Sequence, residues 1–257
     1  MDRGVVWSQT TGWEGVRLAA GLGAGTPVPV FVDNGAKTLG QAEMWFGAGR
    51  GARHAVIVMV GTGVGAAVVM DGRGYRGANS NAGEWGHTTL VYDGDVCRCG
   101  ARGCLEAYIG GTTVNRLLSE ATGLPNDKTL LVRLLAEGPA TGAAAVVVER
   151  TVGYLGAGIA GLVNLFSPER IVLGGPSGLA LGQRYLPQIR EAAARYALRQ
   201  PYANTRIDLC RLGPDAVALG AATLPVARLL ADGGLPGAAP GGAPSRAGRR
   251  PATRPRP

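Results

Sequence analysis

Residues 83–106 read GEWGHTTLVYDGDVCRCGARGCLE, and this stretch contains most of the cysteines of the chain. It holds one of the two histidines, His87, and three of the four cysteines, Cys97, Cys99 and Cys104. Four nitrogen and sulfur donors satisfy a soft cation such as Zn²⁺ and leave no position open in a structural site. The alternative is a disulfide with stray thiols, but three nearby cysteines cannot all pair, and a Cys-x-Cys disulfide is strained. The spacing therefore favours a structural zinc knuckle, in which the tight loop of residues 97–104 is the knuckle.

Two carboxylates bracket this cluster. Glu84 precedes His87 by three residues, and Glu106 follows Cys104 by two. Metal ligation would fold both onto one small loop assembly, where two carboxylates suit the hydroxyl groups of a sugar or polyol. The alternative is that both are solvated surface acids, which is the common situation of a single Glu.

The pattern Gly-Glu-x-Gly-His, followed by Cys-x-Cys-Gly-x-x-Gly-Cys-x-Glu, resembles the signature of the ROK family of bacterial sugar kinases and sugar-responsive repressors. Weaker similarity runs from about Gly12 to Leu224. The resemblance implies an α/β fold of the actin-like ATPase (ribonuclease H-like) type, and homo-oligomers. It also implies a zinc ion held by His87 and the three cysteines, and a sugar held by Glu84, His87 and Glu106.

Composition is that of a globular protein, with 46% hydrophobic and 17% charged residues among 257. We find no apolar run of the roughly 18 residues that a membrane span requires, and no apolar segment of a signal peptide. A cytoplasmic protein without membrane contact is therefore expected, and a reducing compartment favours a metal over a disulfide. The net charge of +8 includes five arginines within residues 233–257, so the remainder is only mildly basic.

Residues 27–35, PVPVFVDNG, predict a short buried strand at 30–32. The strand would deliver Asp33, Asn34 and Gly35 to its carboxyl end, where ligands collect in α/β sheets. Because side chains alternate along a strand, Asp33 is predicted to point away from Asn34. Residues 36–46 have helical spacing and are predicted to form a helix.

The resemblance to the ROK family implies roles for these residues. Kinases of the family have Asn-Asp-Ala-Asn here, and the Asp is the general base that deprotonates the attacking sugar hydroxyl. Aligned on Glu43, the chain has Asn34 at the first Asn, Gly35 at the Asp and Lys37 at the second Asn, and the resemblance implies that Asn34 binds the sugar. General-base catalysis is typically worth about 10²–10⁴-fold, so we expect phosphoryl transfer to be lost even if sugar and ATP still bind. A shift of the alignment by one residue would restore Asp33 as the base.

Residues 55–70, AVIVMVGTGVGAAVVM, predict two strands joined by the turn Gly61-Thr62-Gly63. A β-hairpin explains this pattern without any ligand, whereas the resemblance implies the second phosphate loop of the ATPase fold. The following stretch RGANSNAGE resembles the sugar-side loop of the family, in which Gly77 and Ala78 let a ligand lie against the backbone.

The second half of the chain is predicted to be mainly helical. A long buried helix is expected within residues 139–166, and shorter helices at 186–198 and 215–230, the last broken at Pro225. Strands are predicted at 171–173 and 206–210. The turn Gly174–Gly175 after the first of these resembles the adenosine-binding edge of the family, although a plain turn between strand and helix explains it equally.

These elements predict three segments: a remnant of a first α/β lobe (1–50), a second lobe with the knuckle and sugar loop (51–232), and a disordered basic tail (233–257). Family kinases begin with an Asp-x-Gly-Gly-Thr phosphate loop, and family repressors with a winged helix-turn-helix. Neither pattern occurs in the sequence, so we expect an incomplete first lobe, an unpaired sheet edge and poor solubility.

The preferred hypothesis is the sugar-binding effector domain of a ROK-type transcriptional regulator, with structural zinc and no phosphoryl transfer. Its partner would be a small sugar, and DNA would be bound only through a helix-turn-helix that the sequence does not contain. The first alternative is an ATP-dependent hexose or N-acetylhexosamine kinase, similar to glucokinase, which would use ATP and Mg²⁺. The second is a non-functional gene remnant.

Overall fold

The computed structural model describes residues 4–8, 10–231 and 233. Contacts between Cα atoms divide the chain into two units, Met1–Leu224 and Pro225–Pro257. The predicted basic tail lies outside the described residues, apart from Gly233.

The described residues form seven strands: β1 (Val5–Ser8), β2 (Trp13–Arg17), β3 (Ala55–Val60), β4 (Val64–Met70), β5 (Arg73–Tyr75), β6 (Arg170–Gly174) and β7 (Arg206–Leu209). They also form ten α-helices: α1 (Leu18–Gly23), α2 (Gly35–Phe46), α3 (Glu106–Ile109), α4 (Gly111–Thr122), α5 (Leu130–Glu137), α6 (Gly142–Phe166), α7 (Pro176–Tyr196), α8 (Arg199–Ala203), α9 (Ala216–Ala222) and α10 (Leu224–Ala231). Short 3₁₀ turns lie at Trp85–His87 and Gly213–Asp215.

Strand β3 is the middle of a five-stranded mixed sheet in the order β5-β4-β3-β6-β7. It pairs antiparallel with β4 and parallel with β6. A strand that is covered on both faces reads as a continuous apolar run, and β3 does so. Val56 and Val58 belong to the core shared with α6 and α7, whereas Ala55 and Ile57 belong to the core shared with α2 and α9. The predicted pair of strands at 55–70 is thus confirmed.

Helix α2 lies close to the sheet on one side and to α9 on the other because both approaches are made at glycines. A Cβ atom on Gly40 would lie 2.3 Å from the Cβ of Ala67 in β4. A Cβ atom on Gly220 of α9 would lie 1.8 Å from the carbonyl oxygen of Thr38. These contacts place the first turn of α2, which carries the predicted site residues, at the end of the sheet.

Glu43 of α2 is completely buried and satisfies backbone N–H groups of two loops. Its Oε2 accepts from the N–H of Ala48 at 2.6 Å, and its Oε1 accepts from those of Arg211 and Leu212 at 3.0 Å each. In the sequence, Glu43 only marks the position of α2 in the family resemblance, whereas in the structure it holds the loop before α9 against α2.

Two predictions for residues 30–35 are wrong. No strand forms at 30–32, since no ladder of backbone hydrogen bonds pairs with these residues within the described part of the chain, and an unpaired strand is not stable. Without strand alternation, Asp33 and Asn34 line the same cavity. The predicted helix is confirmed and begins at Gly35, where Asn34 Oδ1 accepts from the N–H of Ala36 at 2.8 Å.

The remaining elements agree with the sequence in kind and differ in extent. The helix predicted at 186–198 is the second half of α7, which begins at Pro176 and bends at Tyr185. Pro187 explains the bend, because proline cannot donate to the carbonyl group four residues earlier.

The predicted break near Pro225 is confirmed, since α9 ends at Ala222 and α10 begins at Leu224. The ribbon β1–β2 was not predicted.

Helix α6 is long and apolar enough to resemble a segment that could cross a membrane, although Glu149 and Arg150 interrupt its apolar run. By length and composition it could do so, with a mean hydropathy of 1.4 in its 18-residue window. However, 56% of that window is buried inside the protein, and residues such as Leu155 and Ile159 belong to the core. We therefore regard α6 as a core helix, which passes the same test of length and composition.

The close approach of α9 to α2 predicts the effect of a small change. We expect Gly220→Ala to lower the free energy of unfolding by about 1–3 kcal/mol, because the added methyl group overlaps a backbone oxygen and α9 must move. The control is Gly161→Ala in α6, where nothing lies within 4 Å of the added atom, and where alanine should stabilise the helix by about 0.5–1 kcal/mol. Chemical denaturation of both variants measures the difference, and equal stabilities would contradict the packing described above.

Candidate functional site

Four of the residues predicted to hold a sugar line one cavity of about 570 Å³, the sugar-side cavity: Asn34, Glu84, His87 and Glu106. The first turn of α2, the turn between β3 and β4, the ribbon β1–β2 and the residues on either side of the knuckle form its walls. A cavity of this size is within the range of small-molecule sites in proteins. The residues come from segments that are far apart in the sequence, so the fold brings them together.

The other two predicted sugar residues, Gly77 and Ala78, do not line this cavity. They line a second one of about 600 Å³, together with Arg76 and Asn79. Trp7 borders both cavities. The loop 76–84 thus stands beside the predicted sugar site, and only its end, with Glu84, lies in it.

Asp33 lines the sugar-side cavity, but both of its carboxylate oxygens already have hydrogen-bond donors. Its side chain is 4% exposed and forms an ion pair with Arg76, whose Nη1 donates to Oδ1 at 3.1 Å and whose Nη2 donates to Oδ2. Oδ1 also accepts from the N–H of Asn34 at 2.9 Å. Because a bidentate guanidinium and the N–H of Asn34 occupy the lone pairs of this carboxylate, Asp33 is poorly placed to accept a proton from a substrate.

Gly35, which the sequence resemblance predicts to replace the base, is the first residue of α2 and lines the same cavity. A Cβ atom there would have Met59 Cε as its nearest neighbour, at 3.7 Å. The position therefore has room for a side chain, and the lack of a carboxylate is a property of the sequence and is not imposed by packing.

Lys37 joins α2 to the loop 76–84 and does not line the sugar-side cavity. Its Nζ donates to the carbonyl oxygen of Ser80, and Arg76 Nη1 donates to the Oγ of the same serine at 3.0 Å. Burial lowers the pKa of Lys37, and the nearby carboxylate of Asp33 opposes this effect. Both cations thus hold the loop beside the cavity.

The knuckle folds as it does because two of its glycines adopt backbone angles that other residues avoid. Gly100 has φ +91° and Gly103 has φ +74°, and a Cβ atom on Gly103 would lie 1.6 Å from the carbonyl oxygen of Val91. The N–H of Cys97 donates to the carbonyl oxygen of Ala101 at 2.8 Å, which closes the tight turn. This turn brings the three cysteines to one side of the loop.

His87, Cys97, Cys99 and Cys104 form one cluster, whose possible ligand atoms all lie within 4.8 Å of one another. Cys99 Sγ lies 3.7 Å from Cys104 Sγ, and Cys97 Sγ lies 3.6 Å from His87 Nδ1. A tetrahedral ion with metal–sulfur bonds of about 2.3 Å would separate two sulfurs by roughly 3.8 Å. The donor set fits a soft cation, and all four cysteines are free, which argues against the disulfide alternative.

The thiols of the cluster differ in acidity. Burial raises the pKa of Cys104 to about 12 and also raises the pKa of Cys97. In Cys99 burial acts in the same direction, but hydrogen bonds from the backbone at Ala101 and from the neighbouring thiols outweigh it and lower the pKa. A cation must displace protons from such thiols, so its affinity falls as the pH falls.

The carboxylate of Glu106 is the most constrained polar group of the site. The side chain is 4% exposed, and Oε2 accepts from the N–H of Val64 at 2.7 Å. Oε1 lies 2.7 Å from Nε of Arg98. This ion pair does not have the geometry of a hydrogen bond, so Oε1 receives no hydrogen bond from the described residues. Buried polar atoms normally find a partner, so Oε1 has unused capacity for a donor such as a sugar hydroxyl.

The residues predicted to contact phosphate or nucleotide line two different cavities, with the exception of Gly174. Gly61, Thr62 and Gly63 line the sugar-side cavity. Gly175 lines a separate, mainly apolar cavity of about 650 Å³, which shares Met59 and Pro176 with the first. Gly174 lines neither of them.

Arg98 contacts the site but was not predicted. The sequence shows it only as the variable residue of the Cys-x-Cys pattern, and nothing but its charge could have indicated a role. Its Nη2 donates to the carbonyl oxygen of Thr62 at 2.7 Å while its Nε faces Glu106.

Comparisons with known proteins agree with this geometry. A family model described as "ROK family" matches residues 1–228. The chain is 34% identical over 234 residues to a glucokinase of Halalkalibacterium halodurans, covering 86% of this chain and 71% of that protein. It is 28% identical over 236 residues to the xylose repressor of Caldicellulosiruptor bescii, covering 85% of this chain and 57% of the repressor.

A solved structure shows the same fold. The ROK family glucokinase of Streptomyces griseus, crystallised with glucose and AMPPNP, superimposes with a TM-score of 0.76 at 27% identity. The match covers 86% of this chain and 76% of the glucokinase. The predicted α/β fold of the actin-like ATPase type is thereby confirmed.

The cluster at the knuckle predicts metal binding that depends on its cysteines. We expect the purified chain to carry one equivalent of a soft divalent cation, and Cys97→Ser/Cys99→Ser to lose it, because two of the four donors are removed. Cys210→Ala is the control, since Cys210 is buried elsewhere and should not affect metal content. Elemental analysis by mass spectrometry measures all three proteins, and full metal content in the double variant would contradict the ligand set.

Proposed function

Because the chain belongs to the ROK family, we propose that it is the sugar-binding domain of a regulator-type member that does not transfer phosphate. The observation that carries this proposal is the composition of the sugar-side cavity. It contains Asn34, Glu84, His87 and Glu106, but it has no free carboxylate at the start of α2.

Sugar binding is supported by the polar groups that converge on the cavity. The buried Oε1 of Glu106 has no hydrogen-bond donor among the described residues, and a hydroxyl group of a ligand would supply one. Glu84 lines the same cavity and is exposed to it. The ring of His87 lines the cavity while its Nδ1 faces Cys97. Acceptors arranged in this way suit the many hydroxyl groups of a sugar better than an apolar ligand.

The absence of phosphoryl transfer is supported by Gly35 and Asp33. A kinase of this fold requires a base that removes the proton of the attacking hydroxyl, and Gly35 has no side chain to accept it. Asp33 is in the cavity, but Arg76 holds both of its oxygens. The loss of a general base lowers a rate by about 10²–10⁴-fold, which leaves binding as the function of the site.

We assign the cation of the knuckle as zinc. Three thiolates and one imidazole are donors that zinc favours, and four protein ligands leave no position for substrate, so the ion would have a structural role only. It would fix the ring of His87 and the start of α3, and thereby two residues of the sugar-side cavity, His87 and Glu106.

A kinase is the second candidate, and one observation favours it. The apolar cavity beside Gly175 adjoins the sugar-side cavity through Met59 and Pro176, and the related S. griseus enzyme was crystallised with both glucose and AMPPNP. A nucleotide in the apolar cavity would place its phosphates towards the turn Gly61–Gly63. This arrangement would support ATP binding, although it would not replace the missing base.

The proposal predicts that Glu106→Ala weakens sugar binding. We expect the dissociation constant for D-glucose or D-xylose to rise about 10–100-fold, since hydrogen bonds to a charged group contribute about 1.5–3 kcal/mol. Isothermal titration calorimetry measures this effect, with thermal melting as the test of folding. The matched control is Glu149→Ala, an exposed residue of α6. Unchanged affinity in Glu106→Ala would place the ligand elsewhere.

The proposal also predicts that no phosphate is transferred. With D-glucose, ATP and Mg²⁺, a coupled assay should show no more ADP than the same mixture without sugar, because no general base is available at Gly35. A sugar-dependent ADP signal that disappears in Glu84→Ala would contradict the proposal and support the kinase.

A further inference from the structure

We propose that Arg98 is a positioning residue, through which the knuckle holds the carboxylate of Glu106 in the orientation that binds sugar. This inference rests on the proposed sugar site. It concerns a residue for which the sequence pattern specifies only that it lies between two cysteines.

The first argument is the place of Arg98 in the chain. Its neighbours Cys97 and Cys99 are both members of the candidate metal cluster, so a bound cation would fix the backbone on both sides of it. The side chain is only 26% exposed and extends from the knuckle towards the sugar-side cavity. The position of its guanidinium group therefore depends on the shape of the knuckle.

The second argument is that the guanidinium group contacts two parts of the site at once. Nε lies 2.7 Å from Oε1 of Glu106, and Nη2 donates to the carbonyl oxygen of Thr62 at 2.7 Å. The planar fork of arginine can make both contacts from one rigid group, whereas an ammonium group is a single point charge. Arg98 thus holds the carboxylate and the turn between β3 and β4 in one arrangement.

The third argument is the cost of a buried charge. Glu106 is 4% exposed, and its Oε2 is occupied by the N–H of Val64. Removing one partner of a buried ion pair leaves the other charge uncompensated, so the side chain then turns towards water. Glu106 would then no longer be held as an oriented acceptor at the cavity that it lines.

A second arginine of the knuckle offers a comparison. Arg102 forms an ion pair with Asp93 at 3.6 Å and donates to the carbonyl oxygen of Gly94 at 3.1 Å. Its side chain is 57% exposed, and neither it nor Arg98 lines the sugar-side cavity. Arg102 has the same charge in the same loop without contact to Glu106, which makes it a matched control.

The test measures sugar affinity and metal content in the same proteins. The variants are Arg98→Met, Arg98→Lys, Glu106→Gln and the control Arg102→Met. Calorimetry with D-glucose, D-xylose and a set of deoxy-D-glucose analogues, each lacking one hydroxyl, reports which hydroxyl group the site recognises. Elemental analysis and thermal melting report the metal and the folding of each variant.

We expect Arg98→Met to keep its metal and to bind sugar about tenfold or more weakly, as for the loss of a charged contact. Arg98→Lys should lie between it and the wild type, because an ammonium group keeps the charge but lacks the fixed planar fork that reaches Glu106 and Thr62 together. The deoxy sugar that is least affected by Glu106→Gln should also be the one least affected by Arg98→Met. A general loss of stability would not produce that shared selectivity.

Three outcomes would overturn the inference. Wild-type affinity and selectivity in Arg98→Met would show that Glu106 needs no such support. Loss of metal from Arg98→Met would show that the residue retains the cation and does not position the carboxylate. Equal weakening in Arg102→Met would show a general effect of charge. If Arg98→Met does not fold, Arg98→Lys is judged by the same criteria. Wild-type protein that binds none of the sugars would instead refute the proposed function.

Discussion

The candidate site depends on one buried carboxylate. Glu106 begins α3 directly after the knuckle, accepts the N–H of Val64 at the start of β4, and faces the guanidinium group of Arg98. A carboxylate that is removed from water must be compensated where it stands. The hairpin, the knuckle and the first turn of α3 are therefore restricted to relative positions in which the N–H of Val64 and the guanidinium group of Arg98 both reach the carboxylate.

The other wall of the cavity has a different physical origin. Helix α2 is held by close backbone packing at Gly40 and Gly220 and by Glu43, which satisfies N–H groups of two loops. None of these contacts involves the ligand-binding residues, yet they set the position of Asn34 and Gly35. One wall of the cavity is thus fixed by the contacts of Glu106, and another by close packing at two glycines together with the hydrogen bonds of Glu43.

The sequence was most informative where chemistry restricts spacing. The metal cluster and the hairpin at 55–70 were predicted because cysteine spacing, and two apolar runs joined by a glycine turn, each leave few arrangements. It failed where the outcome depends on partners that are distant in the chain. Residues 30–32 have strand composition but no partner for a ladder among the described residues, and Asp33 lies in the cavity because Arg76, forty-three positions later, holds it there. Arg98 escaped prediction for the same reason, since its contacts with Thr62 and Glu106 are made across the fold.

Gly35 has a consequence for how such a pocket would be used. An enzyme removes its ligand by converting it, so its occupancy reflects both supply and turnover. A pocket with the sugar-binding groups but without a base would return each sugar unchanged. Its occupancy would then follow the free concentration of that sugar alone, and the time for which it remains filled would be set by the rate of dissociation. One missing carboxylate would thus turn a site that consumes sugar into one that measures it.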